Sequence, residues 1–130
     1  MHAPISTLYA GLAGLMLLAL SAWVVRMRGV TRTSLGTGSD RRMEQAVRVH
    51  GNFIEYVPMI LLLLALAELG GAPAALLHGA GGTLLLARAL HAWGLAGRHG
   101  ASPGRWWGTA GTWTTLLVLS LYDAWLALTA

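Results

Sequence analysis

Residues 5–25 read ISTLYAGLAGLMLLALSAWVV, a run with no charged side chain. Crossing the hydrocarbon layer of a bilayer takes about 20 mostly apolar residues, and three further windows have that length. Residues 47–69 carry a polar cluster at their start, residues 74–96 carry Arg88 and His91, and residues 106–128 carry a single Asp123. Backbone N–H and C=O groups have no water to bond in lipid, so each window must be a helix that satisfies them internally. The expected architecture is an all-α integral membrane four-helix bundle, one domain over residues 1–130. Composition agrees. The chain is 55% hydrophobic and 11% charged, against about 25% charged in soluble domains.

All nine basic residues are arginines, a composition suggesting a bacterial genome rich in G and C and hence a bacterial inner membrane. Five of them, Arg26, Arg28, Arg32, Arg41 and Arg42, lie between the first two windows, and Arg98 and Arg105 lie between the last two. The remaining connection, around Gly70-Gly71-Ala72-Pro73, has none. The positive-inside bias therefore puts loops 1 and 3 in the cytoplasm and both termini outside. Trp23, Trp93, Trp106 and Trp107 fall near the cytoplasmic interface, where amphipathic rings settle. The uncharged start lacks the basic segment of a cleaved signal peptide, so the first helix is expected to stay. The net charge of +4 is read as contact with anionic lipid heads, not with nucleic acid. There is no cysteine, which excludes disulfides, thiolate metal sites and a cysteine nucleophile, and no metal is expected. The segment GVTRTSLGTGSDRR, rich in Gly, Ser and Thr, reads as a mobile lid.

The second window opens with RVHGNFIEYVP, residues 48–58. At 100° per residue Arg48, Asn52 and Glu55 fall within about 60° of one another. Arg41 and Glu44 join the stripe if the helix starts early, Tyr56 lies beside it, and His50 points to the far side. Pro58 removes a hydrogen bond to Ile54 and predicts a kink. Glu55 on helix 2 and Arg88 on helix 3 each lie about 12 Å below the cytoplasmic entry. An isolated charge at that depth costs several kcal/mol, so a Glu55–Arg88 ion pair is expected, one that would also fix helix register. His91, one turn above Arg88, would extend it. Glu68, His78 and Asp123 lie toward the outer helix ends, within reach of that interface or of one another. Small residues at Ala10 and Gly14, at Ala75, Gly79 and Thr83, and at Gly108 and Thr112 permit close helix contact.

Arg48-x3-Asn52-x2-Glu55-Tyr56-x-Pro58, at the cytoplasmic start of the second of four helices, resembles the signature of the membrane-associated proteins in eicosanoid and glutathione metabolism, MAPEG. Arg88-x2-His91-Ala92-x-Gly94 is similar to the form found in small bacterial members. The resemblance covers nearly the whole chain and implies a homotrimer with glutathione, as cosubstrate, in a cytoplasm-facing cleft between subunits. Arg48, Asn52 and Glu55 would bind its carboxylates and amine, Tyr56 and His91 would line the same pocket, and Arg26 or Arg28 would reach in from the neighbouring chain. The other substrate would be a lipophilic electrophile arriving from the bilayer.

The physics of such a ligand matches these side chains. Arginine forks hold carboxylates, and glutamate holds an ammonium. A guanidinium beside a thiol of pKa about 8.5 favours the nucleophilic thiolate. On the family pattern the helix 3 tyrosine positions carry His91 and Leu95, and the activating arginine position carries Ser102. Arg98 and Arg105 are the remaining catalytic candidates, with Gly100, Pro103 and Gly104 expected to break the helix around them, so that either would act from a loop. The alternatives are a non-catalytic relative that binds a thiol or lipid, and a small four-helix multidrug transporter. The uncharged first helix disfavours the transporter, which would carry a membrane glutamate there.

Overall fold

The computed structural model describes residues 2–96 and 102–129. Four helices make up the fold: α1 (Pro4–Thr31), α2 (Arg41–Leu69), α3 (Ala74–Leu95) and α4 (Pro103–Thr129). This is the all-α membrane four-helix bundle expected. α1 and α2 each have the length and apolarity to cross a membrane alone. α3 and α4 carry the Arg, His, Thr and Trp side chains that the bundle uses internally and along its surface.

The helices overrun the apolar windows at their arginine-rich ends. α1 continues to Thr31 and α2 begins at Arg41, because lipid limits only the apolar part of a helix and arginine is a good helix former in water. α1 stops where Arg32 takes a left-handed φ of 52°. α2 starts on Asp40, whose carboxylate accepts from Arg42 N at 2.8 Å and pairs with the Arg42 guanidinium. These hydrogen bonds hold the Asp40 carboxyl below its usual range. The intervening segment is shaped by Arg28, whose Nη1 donates to the carbonyls of Thr33, Ser34 and Gly36. These three hydrogen bonds clasp the turn around the guanidinium.

Pro58 sits inside an uninterrupted α2. Pro103 occupies the first turn of α4, the position proline favours because its missing N–H would lack a helical partner anyway. Arg105 therefore projects from a helix, not from a broken loop. Gly104 lies inside α4, while Gly100 and Arg98 lie outside the described residues.

The core seam of α2 is Ala46, Val49, Phe53, Val57, Ile60, Leu64 and Ala67, all buried, at the alternating spacing of three and four that keeps one helix face inward. α3 and α4 approach until their backbones touch. A Cβ on Gly94 would lie 2.5 Å from Arg105 N and 2.7 Å from Gly104 C; one on Gly108 would lie 2.6 Å from Ala87 O. No side chain larger than hydrogen fits there. Ser102 locks the same junction, donating to Gly94 O at 2.6 Å and accepting from Arg105 N.

At the other end of the bundle, Glu68 of α2 accepts from Ile5 N, Ser6 N and Ser6 Oγ at 2.6–2.9 Å. It caps α1, whose own Ala3 cannot. His78, at the same end, faces Tyr9, with Tyr9 Oη 3.2 Å from Nδ1. Outside the bundle, Leu8, Leu12, Leu15, Leu18, Leu117 and Leu121 are exposed along α1 and α4. Apolar exposure on that scale suits lipid or another chain, not water.

Gly94→Ala is expected to push α3 from α4 and lower stability by about 1–3 kcal/mol, read as a fall in melting temperature in detergent. Gly11→Ala, with nothing within 4 Å of the added carbon, should not lower stability and should add about 0.5–1 kcal/mol, since alanine is the better helix former.

Candidate functional site

Arg88 is 3% exposed and ties three helices together. Its Nη1 donates to Asn52 Oδ1 of α2 at 2.7 Å, and its Nη2 to the Gly108 carbonyl of α4 at 3.0 Å. The Tyr56 ring lies 5.9 Å from its guanidinium carbon, within cation–π range. Thr112 Oγ1 donates to the same Gly108 carbonyl.

The expected Glu55–Arg88 ion pair does not form. Arg42–Asp40 is the ion pair found among the described residues, and Glu55 is exposed. Equal depth was the wrong criterion because azimuth decides contact. At 100° per residue Glu55 lies roughly 165° around α2 from the centre of the buried seam, whereas Asn52 sits on its shoulder, roughly 105° away. Asn52 is the residue that can turn inward to Arg88.

With the two terminal nitrogens of Arg88 engaged from within and only its buried Nε left without a partner among the described residues, the polar stripe of α2 faces outward. It forms one wall of a cavity of about 620 Å³ lined by Arg41, Glu44, Gln45, Arg48, Asn52 and Glu55 of α2, His91 and Leu95 of α3, and Arg105 of α4. Arg48, Asn52, Glu55, His91 and Arg105, singled out from the sequence, are thus brought together. Tyr56 does not line the cavity and rests against Arg88 instead. Arg28 is engaged in its own turn, Arg26 is exposed on α1, and Arg98 lies outside the described residues.

From Arg41 to Glu55 the wall runs about 21 Å at 1.5 Å per residue, and the cavity volume falls in the usual range for small-molecule sites. Three arginines and two glutamates line one space, so the wall offers both anion and cation recognition.

A second cavity, of about 640 Å³, adjoins the first and shares Asn52, His91 and Arg105 with it. Its other lining is Ser102, Trp106, Thr109, Ala110 and Trp113. Trp106 and Trp113 stand two turns apart on one face of α4, with small residues between them. Sequence reasoning missed this pair, although the spacing of seven was there to read, because Trp106 was assigned only to the membrane interface. Gln45 was also missed; it flanks the stripe one residue after Glu44.

Comparison with known proteins places these features in a family context. A model of the MAPEG family matches residues 6–125. The inner membrane protein YecN of Escherichia coli strain K12 is 36% identical over 121 residues, covering 93% of this chain and 91% of that protein. The same protein from strain O6:H1 matches equally. No solved structure matches.

A double-mutant cycle is expected to give a coupling of about 1 kcal/mol or more between Asn52→Ala and Arg88→Met, and less than about 0.5 kcal/mol between Glu55→Gln and Arg88→Met, measured as unfolding free energies in detergent. Coupling in the second cycle larger than in the first would contradict the geometry.

Proposed function

This chain belongs to the MAPEG family, and on that premise we propose that it binds glutathione in the cavity walled by Arg48, Asn52 and Glu55 and transfers it to lipophilic electrophiles. The observation that carries this reading is the charge pattern of the cavity: Arg41, Arg48 and Arg105 against Glu44 and Glu55. Glutathione brings two carboxylates and one ammonium, so it needs cationic forks and a carboxylate in one space. A site for a simple anion would have no use for the glutamates, and a site for an amine no use for three arginines. The length also suits, since three extended residues span at most about 11 Å, well inside the 21 Å wall.

Arg105 is the group beside the reacting sulfur in this reading. Ser102, which stands where the family pattern has its activating arginine, is committed to Gly94 O. Arg105, one turn on, lines both cavities, and a guanidinium there favours the thiolate. The tryptophan-lined second cavity supplies the apolar half of the reaction, open to a substrate dissolved in lipid.

Exposure of Glu55 argues for more than one chain. A carboxylate facing lipid about 12 Å below the interface would cost several kcal/mol, and a neighbouring copy would cover it. A homotrimer with the cavity at its subunit boundary meets that requirement, with Arg26 of a neighbour available to complete the wall. Loops 1 and 3 then face the cytoplasm and both termini the other side of a bacterial inner membrane, in keeping with the arginine distribution.

Millimolar glutathione should raise the melting temperature of the purified protein, since a ligand at 100 times its Kd adds about 2.7 kcal/mol. Arg48→Ala and Glu55→Gln should abolish that shift. No shift in the unmodified protein would overturn the glutathione reading. Arg105→Met should keep the shift and lower turnover with an activated aryl halide by about 100-fold; equal turnover would remove Arg105 from the reaction and favour the non-catalytic binder.

A further inference from the structure

We propose that His91 is the proton acceptor for the thiol, and that sulfur and electrophile meet at the wall the two cavities share. This rests on the glutathione reading above and adds the residue that makes the nucleophile.

The shared wall consists of Asn52, His91 and Arg105. Asn52 Oδ1 is held by Arg88 at 2.7 Å, and an amide is no proton acceptor. Arg105 is a guanidinium, which donates and does not accept. Glu55 lines the polar cavity alone, and the Ser102 hydroxyl is committed to Gly94 O. Among the described residues, His91 is the one on the shared wall whose side chain can accept a proton.

The burial of His91 is that of a group built to meet a ligand. It is 7% exposed, and its ring nitrogens are not among the fully buried atoms left without a partner. The small surface it keeps opens into the two cavities. Its Cβ is held by the close passage of α4, since a Cβ on Gly108 would meet it at 2.7 Å, so the point from which the ring projects is set by backbone packing.

The step balances without a redox partner. The S–H bond breaks, its proton goes to a ring nitrogen of His91, and the electron pair left on sulfur attacks the electrophilic carbon. With an aryl halide, the C–S bond forms, the C–halogen bond breaks, the halide leaves with its electron pair, and the imidazolium releases its proton to water. With an activated alkene, the imidazolium returns the proton to carbon. Arg105 lies beside the developing sulfur charge. The charged and titratable groups around this step are Arg88 from α3, Arg105 from α4, and Arg48, Glu55 and Tyr56 from α2.

The test uses the full-length protein in detergent or nanodiscs, with glutathione and an activated aryl chloride. His91→Gln is expected to bind glutathione within about threefold of the unmodified protein, because the arginines and Glu55 that hold the peptide remain. The ultraviolet absorbance of bound thiolate at neutral pH should be lost, and turnover should fall by about 100-fold or more, the usual contribution of a general base. Imidazole added to His91→Ala should restore part of the rate, which a merely structural histidine would not allow. Unchanged turnover in His91→Gln, loss of glutathione binding in step with turnover, or absence of imidazole rescue overturns the role of His91 while leaving the glutathione site standing. Absence of glutathione binding to the unmodified protein overturns both.

Discussion

A guanidinium buried between three helices, with no carboxylate to neutralise it, is the constraint on which the rest of this bundle turns. Arg88 can remain charged in so apolar a place only if oxygen dipoles surround it, and the bundle supplies them from two other helices, Asn52 from α2 and the Gly108 carbonyl from α4. A helical carbonyl can serve a second donor only if that donor comes very close. The backbone contact of α3 with α4 at Gly94, Gly104 and Gly108 is what makes this possible. Glycine spacing and the buried charge are therefore one device: the first brings the dipole, the second fixes the register.

That device has a functional corollary. Because neutral groups take both terminal nitrogens of Arg88, Glu55 is not drawn into the core and stays on the outer face of α2 beside Arg48. An ion pair would have left the cavity with three arginines and one glutamate, a site for anions. Without it the wall is amphoteric, the charge pattern that the proposed zwitterionic ligand requires. Asn52 stands at the hinge of this arrangement, since its carbonyl oxygen serves the core while its residue lines both cavities.

Much of this was legible in the sequence, and the exceptions have physical reasons. The four helices follow from apolar length alone, because lipid leaves the backbone no alternative. The stripe of Arg48, Asn52 and Glu55 follows from helical periodicity, which holds whatever the partners are. Hydropathy marks where lipid ends and not where the helix does, so α1 runs on to Thr31 and α2 takes the early start that brings Arg41 and Glu44 into the stripe. The partner of Arg88 was misassigned because depth can be counted along one helix, whereas azimuth between helices depends on how α2, α3 and α4 pack. The Trp106–Trp113 wall escaped notice for a related reason: an aromatic near an interface has a sufficient explanation already, and only the neighbouring cavity reveals another use.

The three hydrogen bonds from the start of α1 to Glu68 bear on the order in which the chain is made. Ile5 and Ser6 leave the ribosome more than sixty residues before the carboxylate that caps them. A freshly inserted α1 thus keeps bare amide groups at its leading end until the second span has threaded across and brought Glu68 alongside. Completion of the first hairpin is written into that delay, and α1, the less buried of the first two helices, is moored only when its neighbour arrives.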